Sequence, residues 1–358
     1  MKRILWLTEA WAYDTDKAIV PYLNQAGVFD ITWIVIGRGN KLDSGYNKYI
    51  RLPYSNKDPR VIGFYRRILK NHGLSNFDLI YSSFHGFPFY YPTLFSVKSS
   101  HQKVVHAAHN VIPYPVWPLT LRLAVKMEFA LSSHFQMFSQ HTAKWFKEHY
   151  PKKSFFYAPM VVKDFGEVKT DHYQFDESKV NLLFFGNIVG NKRLDLLIDA
   201  VKSLPSEIQD KLHLNICGKC RMDEQSFIHQ IGDCKAISAY FKRIPDEEIP
   251  ELFTKSQYLM LPYEDVAQSG PHMIAYNYNL PVIASDISGF AERVEDGKNG
   301  FLFHVNDKQA LMEAITKAVT MSSDNYQNMK AELKEFVDKN YSLQAVSQRY
   351  IDYFDSIL

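Results

Sequence analysis

Ser269-Gly270-Pro271 is the stretch whose residue types most directly suggest chemistry. Serine is a good helix N-cap, glycine lets a backbone approach a ligand closely, and proline fits the first helical turn. A helix begun this way offers unpaired N–H groups and the positive end of its dipole, a ready site for a phosphate. The plain alternative is an ordinary capped helix. Before the tripeptide come the apolar run Gln257–Leu261, Pro262 and the polar loop Tyr263–Gln268. After it a helix is predicted to about Tyr278, followed by a second apolar run, Pro281–Ser285, stopped by Asp286. The order is strand, anion-holding loop, helix, strand.

That order extends into the string Asn279-Leu280-Pro281-Val282-Ile283-Ala284-Ser285-Asp286, then Gly289, Glu292, Val294, Asp296-Gly297, Gly300 and Leu302. It resembles the donor-binding half of the retaining, nucleotide-sugar-dependent glycosyltransferases of family four, also called glycosyl transferases group 1. These have the GT-B architecture of two Rossmann-like domains. A second stretch, Leu182 to Ala200, is similar to the family pattern in which an arginine and a lysine grip the donor diphosphate. Two cations there stabilise both the ground-state charge and the charge growing on the leaving group. Gly186 and Lys192 match the pattern; Asn187 stands where arginine is usual, and Arg193 replaces the following glycine.

The resemblance implies a donor site of Gly186, Asn187, Lys192, Arg193, Gly218, Tyr263, Gln268, Ser269 and Gly270. Lys192 and Arg193 are expected to act on the diphosphate. The paired glutamates common in the family are absent, with Val266 and Ile274 in their places. Gln268-Ser269-Gly270 resembles a version of the loop found in part of the family. In the first half, Val104–Asn110 reads as an apolar strand ending in a polar pair. The resembling enzymes place a histidine at such a strand end, near the donor sugar, so His109 is expected to be catalytic and His106 a buried strand residue. Trp11, His85 and Asn110 are expected on the acceptor side.

Several other patterns have plainer readings. Asp14-Thr15-Asp16 spells a metal–nucleotide motif of a different glycosyltransferase architecture, but opens a helix here and reads as a cap. Cys217 and Cys220 have zinc spacing without a second pair. Gly37-Arg38-Gly39 is only half of a dinucleotide fingerprint. The stretch Val61–Lys70 carries Arg66, Arg67 and Lys70 among helically spaced apolar residues. It reads either as a helix with a solvated basic edge or as a surface for anionic lipid. Val111–Leu121, with Tyr114 and Trp117, could add an apolar contact for a lipid-linked acceptor.

These residues need elements to position them. Lys2–Thr8, Ile31–Ile36, Asp78–Ser82 and Lys103–Ala107 are apolar runs separated by helix-capable stretches such as Asp16–Ala26 and Asp58–Asn71. A second alternation runs through Val180–Phe185, Leu212–Cys217, Tyr240–Ile244, Gln257–Leu261 and Pro281–Ser285. Alternation at this spacing implies parallel α/β construction. Between the two series, Val162–Lys179 holds eight charged residues and little periodicity. The tail from about Asn325 reads as two helices.

The 358 residues suit two domains, and 46% hydrophobic with 22% charged residues is a globular composition. Residues 1–165 hold 21 Lys and Arg against 10 Asp and Glu, which suggests that the first half faces something anionic. Three cysteines and no secretory leader suggest a cytoplasmic setting, with peripheral contact at the inner face of the membrane through the basic half.

The expectation is therefore an α/β chain of two Rossmann-like domains facing across a cleft: an acceptor-binding domain at 1–162, a linker at 163–179, a nucleotide-sugar domain at 180–340, and a last helix at 341–358 crossing back to the first domain. The resemblance implies sugar transfer with retention from a nucleotide-diphosphate sugar, UDP or GDP, to a glycan or polyprenyl-linked acceptor in cell-surface polysaccharide assembly. It implies no cofactor, no metal and no nucleic-acid partner. The alternatives are a sugar-nucleotide epimerase on the same fold, or a non-catalytic partner subunit of a glycosyltransferase.

Overall fold

The computed structural model describes residues 1–39, 45–84, 89–109, 111, 119–266 and 268–358. The chain divides into two compact units, Met1–Val161 with Leu343–Leu358, and Val162–Ser342. Unit 1 contains β1 (Lys2–Glu9), β2 (Phe29–Gly37), β3 (Asn47–Arg51), β4 (Leu79–Ser83), β5 (Lys103–Ala108), β6 (His134–Met137) and β7 (Ser154–Tyr157). They form one sheet in the order β3-β2-β1-β4-β5-β6-β7, every neighbour parallel.

Parallel strands are joined by helices on both faces, so a central strand must be apolar on both sides. Strand β1 meets this demand with Ile4, Leu5, Trp6 and Leu7 all wholly buried. Side chains alternate across a strand. Ile4 and Trp6 therefore pack with Tyr350 and Phe354 of the terminal helix Leu343–Ile357, while Leu5 and Leu7 pack with Val61, Tyr65 and Leu69. Trp6 stacks on Tyr81 of β4 with ring centroids 3.8 Å apart. The helix Val61–Asn71 leaves Arg66, Arg67 and Lys70 exposed and buries Val61, Phe64, Tyr65, Ile68 and Leu69.

Unit 2 contains β8 (Val180–Phe185), β9 (Leu212–Cys217), β10 (Ile237–Tyr240), β11 (Tyr258–Leu261), β12 (Val282–Ser285) and β13 (Gly300–Phe303). This sheet is also wholly parallel, in the order β10-β9-β8-β11-β12-β13. One expected strand is displaced: β10 ends at Tyr240, and Phe241–Ile244 is loop rather than strand. Ile237 and Tyr240 pair with Leu214 and Cys217, and this register leaves Lys242 and Arg243 beyond the sheet. The tail forms the two helices Ser323–Asn340 and Leu343–Ile357.

The charged segment 162–179 has neither helix nor strand and belongs to unit 2. It is pinned by the buried carboxylate of Glu251, which accepts from Thr170 Oγ1 at 2.6 Å and from the amides of His172 and Tyr173 at 2.9 and 3.0 Å. Among the described residues no helix is long and apolar enough to cross a membrane.

Candidate functional site

In an open parallel sheet, ligands bind outside the carboxyl ends of the strands where the strand order reverses. Unit 2 reverses between β8 and β11, since β9 and β10 extend one way from β8 and β11 to β13 the other. Strand β8 ends at Phe185-Gly186, and the chain then forms a 3₁₀ turn, Gly190–Lys192, before the helix Leu194–Ser203. Gly186 has φ of +106°, and a Cβ there would lie 3.0 Å from Lys192 Nζ and 3.4 Å from Pro271 Cγ. The sequence-separated Gly186, Lys192 and Pro271 thus converge on one point.

The neighbouring strand end approaches as closely. A Cβ on Gly218 would sit 1.9 Å from the carbonyl oxygen of Gly186, so the main chains must separate to admit one. Forced overpacking typically costs about 1–3 kcal/mol. Gly218→Ala is expected to destabilise unit 2 by that amount in denaturant unfolding, and an unchanged midpoint would show that the two strand ends are not in contact.

Lys192 is half-buried, with Nζ 5.2 Å from the Tyr263 ring centroid, and burial lowers its pKa to about 8. Among the described residues it has no carboxylate partner. An unpaired ammonium withdrawn from water is costly unless an anion joins it. Arg193 points elsewhere. Its backbone is left-handed, with φ of 49° and ψ of 46°, and its guanidinium bonds Asp195 at 3.0 Å and Asn306, with Glu264 at 3.7 Å.

The anion-holding loop follows β11. The helix it leads into spans Gly270–Asn277, and Ser269 Oγ accepts from the amide of His272 at 3.4 Å, the cap expected from the sequence. A Cβ on Gly270 would lie 3.8 Å from Lys163 Nζ, which brings a second ammonium to the helix start. The loop is latched to the 3₁₀ turn by the Glu264 amide donating to Asn191 O at 2.9 Å and by Asn191 Nδ2 donating to Asp265 O at 3.0 Å. Tyr263 is buried and Gln268 half-buried.

Val266 O lies against Gly289, where a Cβ would meet it at 2.2 Å, and Ile274 is buried in the core, so the two positions that could carry glutamates have apolar surroundings. Loss of a serine cap costs about 1 kcal/mol. Ser269→Ala is expected to lower unit 2 stability by that amount, measured by chemical unfolding, and an unaltered midpoint would mean the cap is idle.

Beside this point lies a hollow of about 440 Å³ lined by Phe185, Gly186, Asn187, Gly218, Lys219, Arg221, Arg243 and Ile244. Lys219, Arg221 and Arg243, like Lys163, were not among the sequence candidates. Lys219 and Arg221 follow β9 as Lys192 follows β8, a positional signal present in the sequence. Arg243 was concealed because residues 240–244 read as a strand, whereas the strand ends at Tyr240.

In unit 1, His109 follows β5, buried, with its ring stacked on Phe138 at 4.3 Å and Trp11 edge-on at 4.7 Å. His106 is buried among Tyr91, Phe129 and Phe135, as a core residue. His85 and Asn110, like Tyr114 and Trp117, lie outside the described residues. The Asp14-Thr15-Asp16 triplet does not cap: Asp14 pairs with Lys17 at 2.9 Å, while Asp16 is buried and accepts from the hydroxyls of Thr8 and Ser83, both at 2.6 Å. Those hydroxyls sit side by side on β1 and β4, and this pairing draws the carboxylate inward. Trp33 Nε1 extends the network by donating to Thr8 Oγ1 at 2.8 Å. Cys217 is a buried core thiol, and the Cys220 thiol faces the carbonyl of Met222 at 3.6 Å.

Residues 167–336 match the family model of Glycosyl transferases group 1. Unit 2 carries a glycosyl transferases group 1 domain. An uncharacterised 41.2 kDa protein in the cps region of Klebsiella pneumoniae is 23% identical over 189 residues, which cover 52% of this chain and 49% of that one. The glycogen synthase of Thermodesulfovibrio yellowstonii is 25% identical over 183 residues, 49% of this chain and 35% of the synthase. The chain therefore spans half or less of the length of these relatives. Anabaena HepE, solved in complex with UDP and glucose, superposes with a TM-score of 0.75 over 99% of this chain and 100% of its own, at 15% identity.

The two parallel sheets of seven and six strands are thus those of GT-B glycosyltransferase structures. The group 1 domain contains every residue of the convergence at Gly186, Lys192 and Ser269, together with the adjoining hollow. Lys163 falls just before the matched residues.

Proposed function

We propose that the chain is a glycosyltransferase that moves a sugar from a nucleotide-diphosphate sugar to a glycan or glycolipid acceptor, with retention, in the assembly of a cell-surface polysaccharide. Unit 2 binds the donor and unit 1 the acceptor. The observation that carries this reading is Lys192: a half-buried ammonium with no carboxylate partner among the described residues, at the sheet's switch point and beside a capped helix start. Its natural occupant is a diphosphate. The Gly270 helix start supplies N–H donors, and Lys163 a second cation at the same end.

In the reaction the bond from the anomeric carbon to the diphosphate oxygen breaks and the bond to the acceptor hydroxyl forms on the same face. The hydroxyl proton passes to the departing diphosphate. Lys192 stabilises the negative charge that grows as the bond breaks. Arg193, tied to Asp195 and Glu264, orders the loop around it, and Gly186, Gly218, Asn187, Tyr263 and Gln268 shape the donor pocket. His109 serves the reaction from unit 1. UDP is the first donor base to test, since Anabaena HepE binds it.

The test is nucleoside diphosphate release from UDP-, GDP-, ADP- and dTDP-glucose by the full chain, each with and without EDTA. Slow hydrolysis of one donor without acceptor, unchanged by EDTA, is the expected result. Conversion of the donor sugar without release would mean an epimerase. Failure to bind any donor would mean a non-catalytic role.

A further inference from the structure

The Gly37-Arg38-Gly39 triplet has a structural role in unit 1. A Cβ on Gly37 would meet the Ala10 side chain at 2.3 Å, so the turn after β1 lies directly against the end of β2. Tyr49 of β3 donates to Gly39 O at 3.0 Å and fixes the other side of the turn. Arg38 is thereby held at the carboxyl end of β2, and its guanidinium donates to Tyr54 O at 2.9 Å. Gly37 is paired in register with Arg51, the last residue of β3. Two exposed guanidiniums thus project from adjacent ends of parallel strands, the side of such a sheet on which ligands bind.

They border a hollow of about 610 Å³ whose other lining residues are Leu52, Pro53, Tyr54 and Ser55. A second hollow of about 430 Å³ shares Arg38, Leu52 and Ser55 and runs on to Lys57, Asn56, Glu9 and Trp11. Neither Arg38 nor Arg51 has a carboxylate partner among the described residues, whereas nearby Arg60 is paired with Asp58 at 2.7 Å. Trp11 is 53% exposed at the far end of the second hollow, an apolar ring face beside a cationic pocket. Unit 1 as a whole holds 21 Lys and Arg against 11 Asp and Glu, which favours an anionic ligand over a neutral one.

We propose that this double hollow is an acceptor subsite, in which Arg38 and Arg51 hold a phosphate group of the acceptor and Trp11 stacks on its sugar ring. The inference rests on the reading of unit 1 as the acceptor-binding unit. Arginine is suited to the task because its planar fork bonds two phosphate oxygens at once. Leu52 and Pro53, which line the same hollow, give the phosphate a partly apolar wall, which strengthens each charged contact.

The experiment is calorimetric titration of the full chain with glucose 1-phosphate, without nucleotide, for the wild type, Arg38→Gln/Arg51→Gln and Lys192→Ala. Binding is expected in the wild type and is weakened about tenfold or more in the double variant, as for loss of charge-assisted contacts. Binding lost in Lys192→Ala but kept in the double variant would overturn the subsite and leave the donor reading of unit 2 intact. Absence of binding in the wild type would overturn the subsite alone.

A parallel arm uses phosphatidylglycerol vesicles. If the double variant loses vesicle binding while glucose 1-phosphate binding stays, the arginines serve a lipid surface and the subsite is wrong. Arg51→Gln alone, at an exposed position, replaces the double variant should that fail to fold.

Discussion

Lys192→Ala weakens nucleoside diphosphate binding by about 10- to 150-fold, the worth of one or more charge-assisted contacts of about 1.5–3 kcal/mol. Removing the ammonium leaves the amides of the Gly270 helix start and Lys163, so some affinity remains. The effect on Arg193→Ala is smaller, because that guanidinium is engaged by Asp195, Asn306 and Glu264. The same lysine sets a pH dependence. An exposed lysine holds its proton to about pH 10.4, but burial brings this one to about 8. Wild-type affinity is therefore full below pH 8 and declines above it as the free protein loses the charge. The Lys192→Ala profile is flat through that range, and a wild-type profile flat to pH 10 would show that Lys192 is not at the diphosphate.

Asp16→Asn stabilises unit 1 at neutral pH by roughly 3 kcal/mol, each pKa unit being about 1.4 kcal/mol. Burial raises the pKa of Asp16 to about 6, against the opposing hydrogen bonds from Ser83 and Thr8. Unfolded, the group titrates near 3.9. Between about pH 4 and 6 the folded chain keeps a proton that the unfolded chain has released, so this residue lowers stability as pH rises, and above 6 the loss is complete. Asparagine resembles the protonated form, and its amide oxygen can still accept from both hydroxyls. The difference in unfolding free energy between variant and wild type is thus near zero at pH 4 and grows to a plateau above pH 6. A difference independent of pH would mean that Asp16 stays ionised throughout.

The central strands were legible because their physical demand is simple. Ile4–Leu7 and Leu182–Phe184 are buried on both faces, and a short unbroken apolar run is how a parallel strand meets that demand. Strand β3 lies at the sheet edge, and its mixed residues, Asn47 to Arg51, give no such run; β7 at the other edge is short and half-exposed. Strand β10 was misplaced for the same reason: it is an edge strand of four residues, and the aromatic and apolar residues that follow it resemble a strand as much as it does.

The donor pocket was legible where local chemistry speaks, as in the Ser269 cap and the two glycines. It was hidden where distant segments decide. Asp16 looked like a cap from its neighbours alone, and only Thr8 and Ser83, the latter 67 residues away, explain its burial. Arg193, which stands where the family pattern has glycine, was expected to act on the diphosphate, yet Asp195, Asn306 and Glu264 claim its guanidinium.

The most direct measurement is calorimetric titration of the full chain with UDP, GDP, ADP, dTDP and CMP at pH 7, repeated on Lys192→Ala. The expected result is saturable one-to-one binding of one diphosphate, CMP weaker, with affinity reduced at least about tenfold in the variant. Binding of no nucleotide, or of one with equal affinity in both proteins, would contradict a donor site built on Lys192.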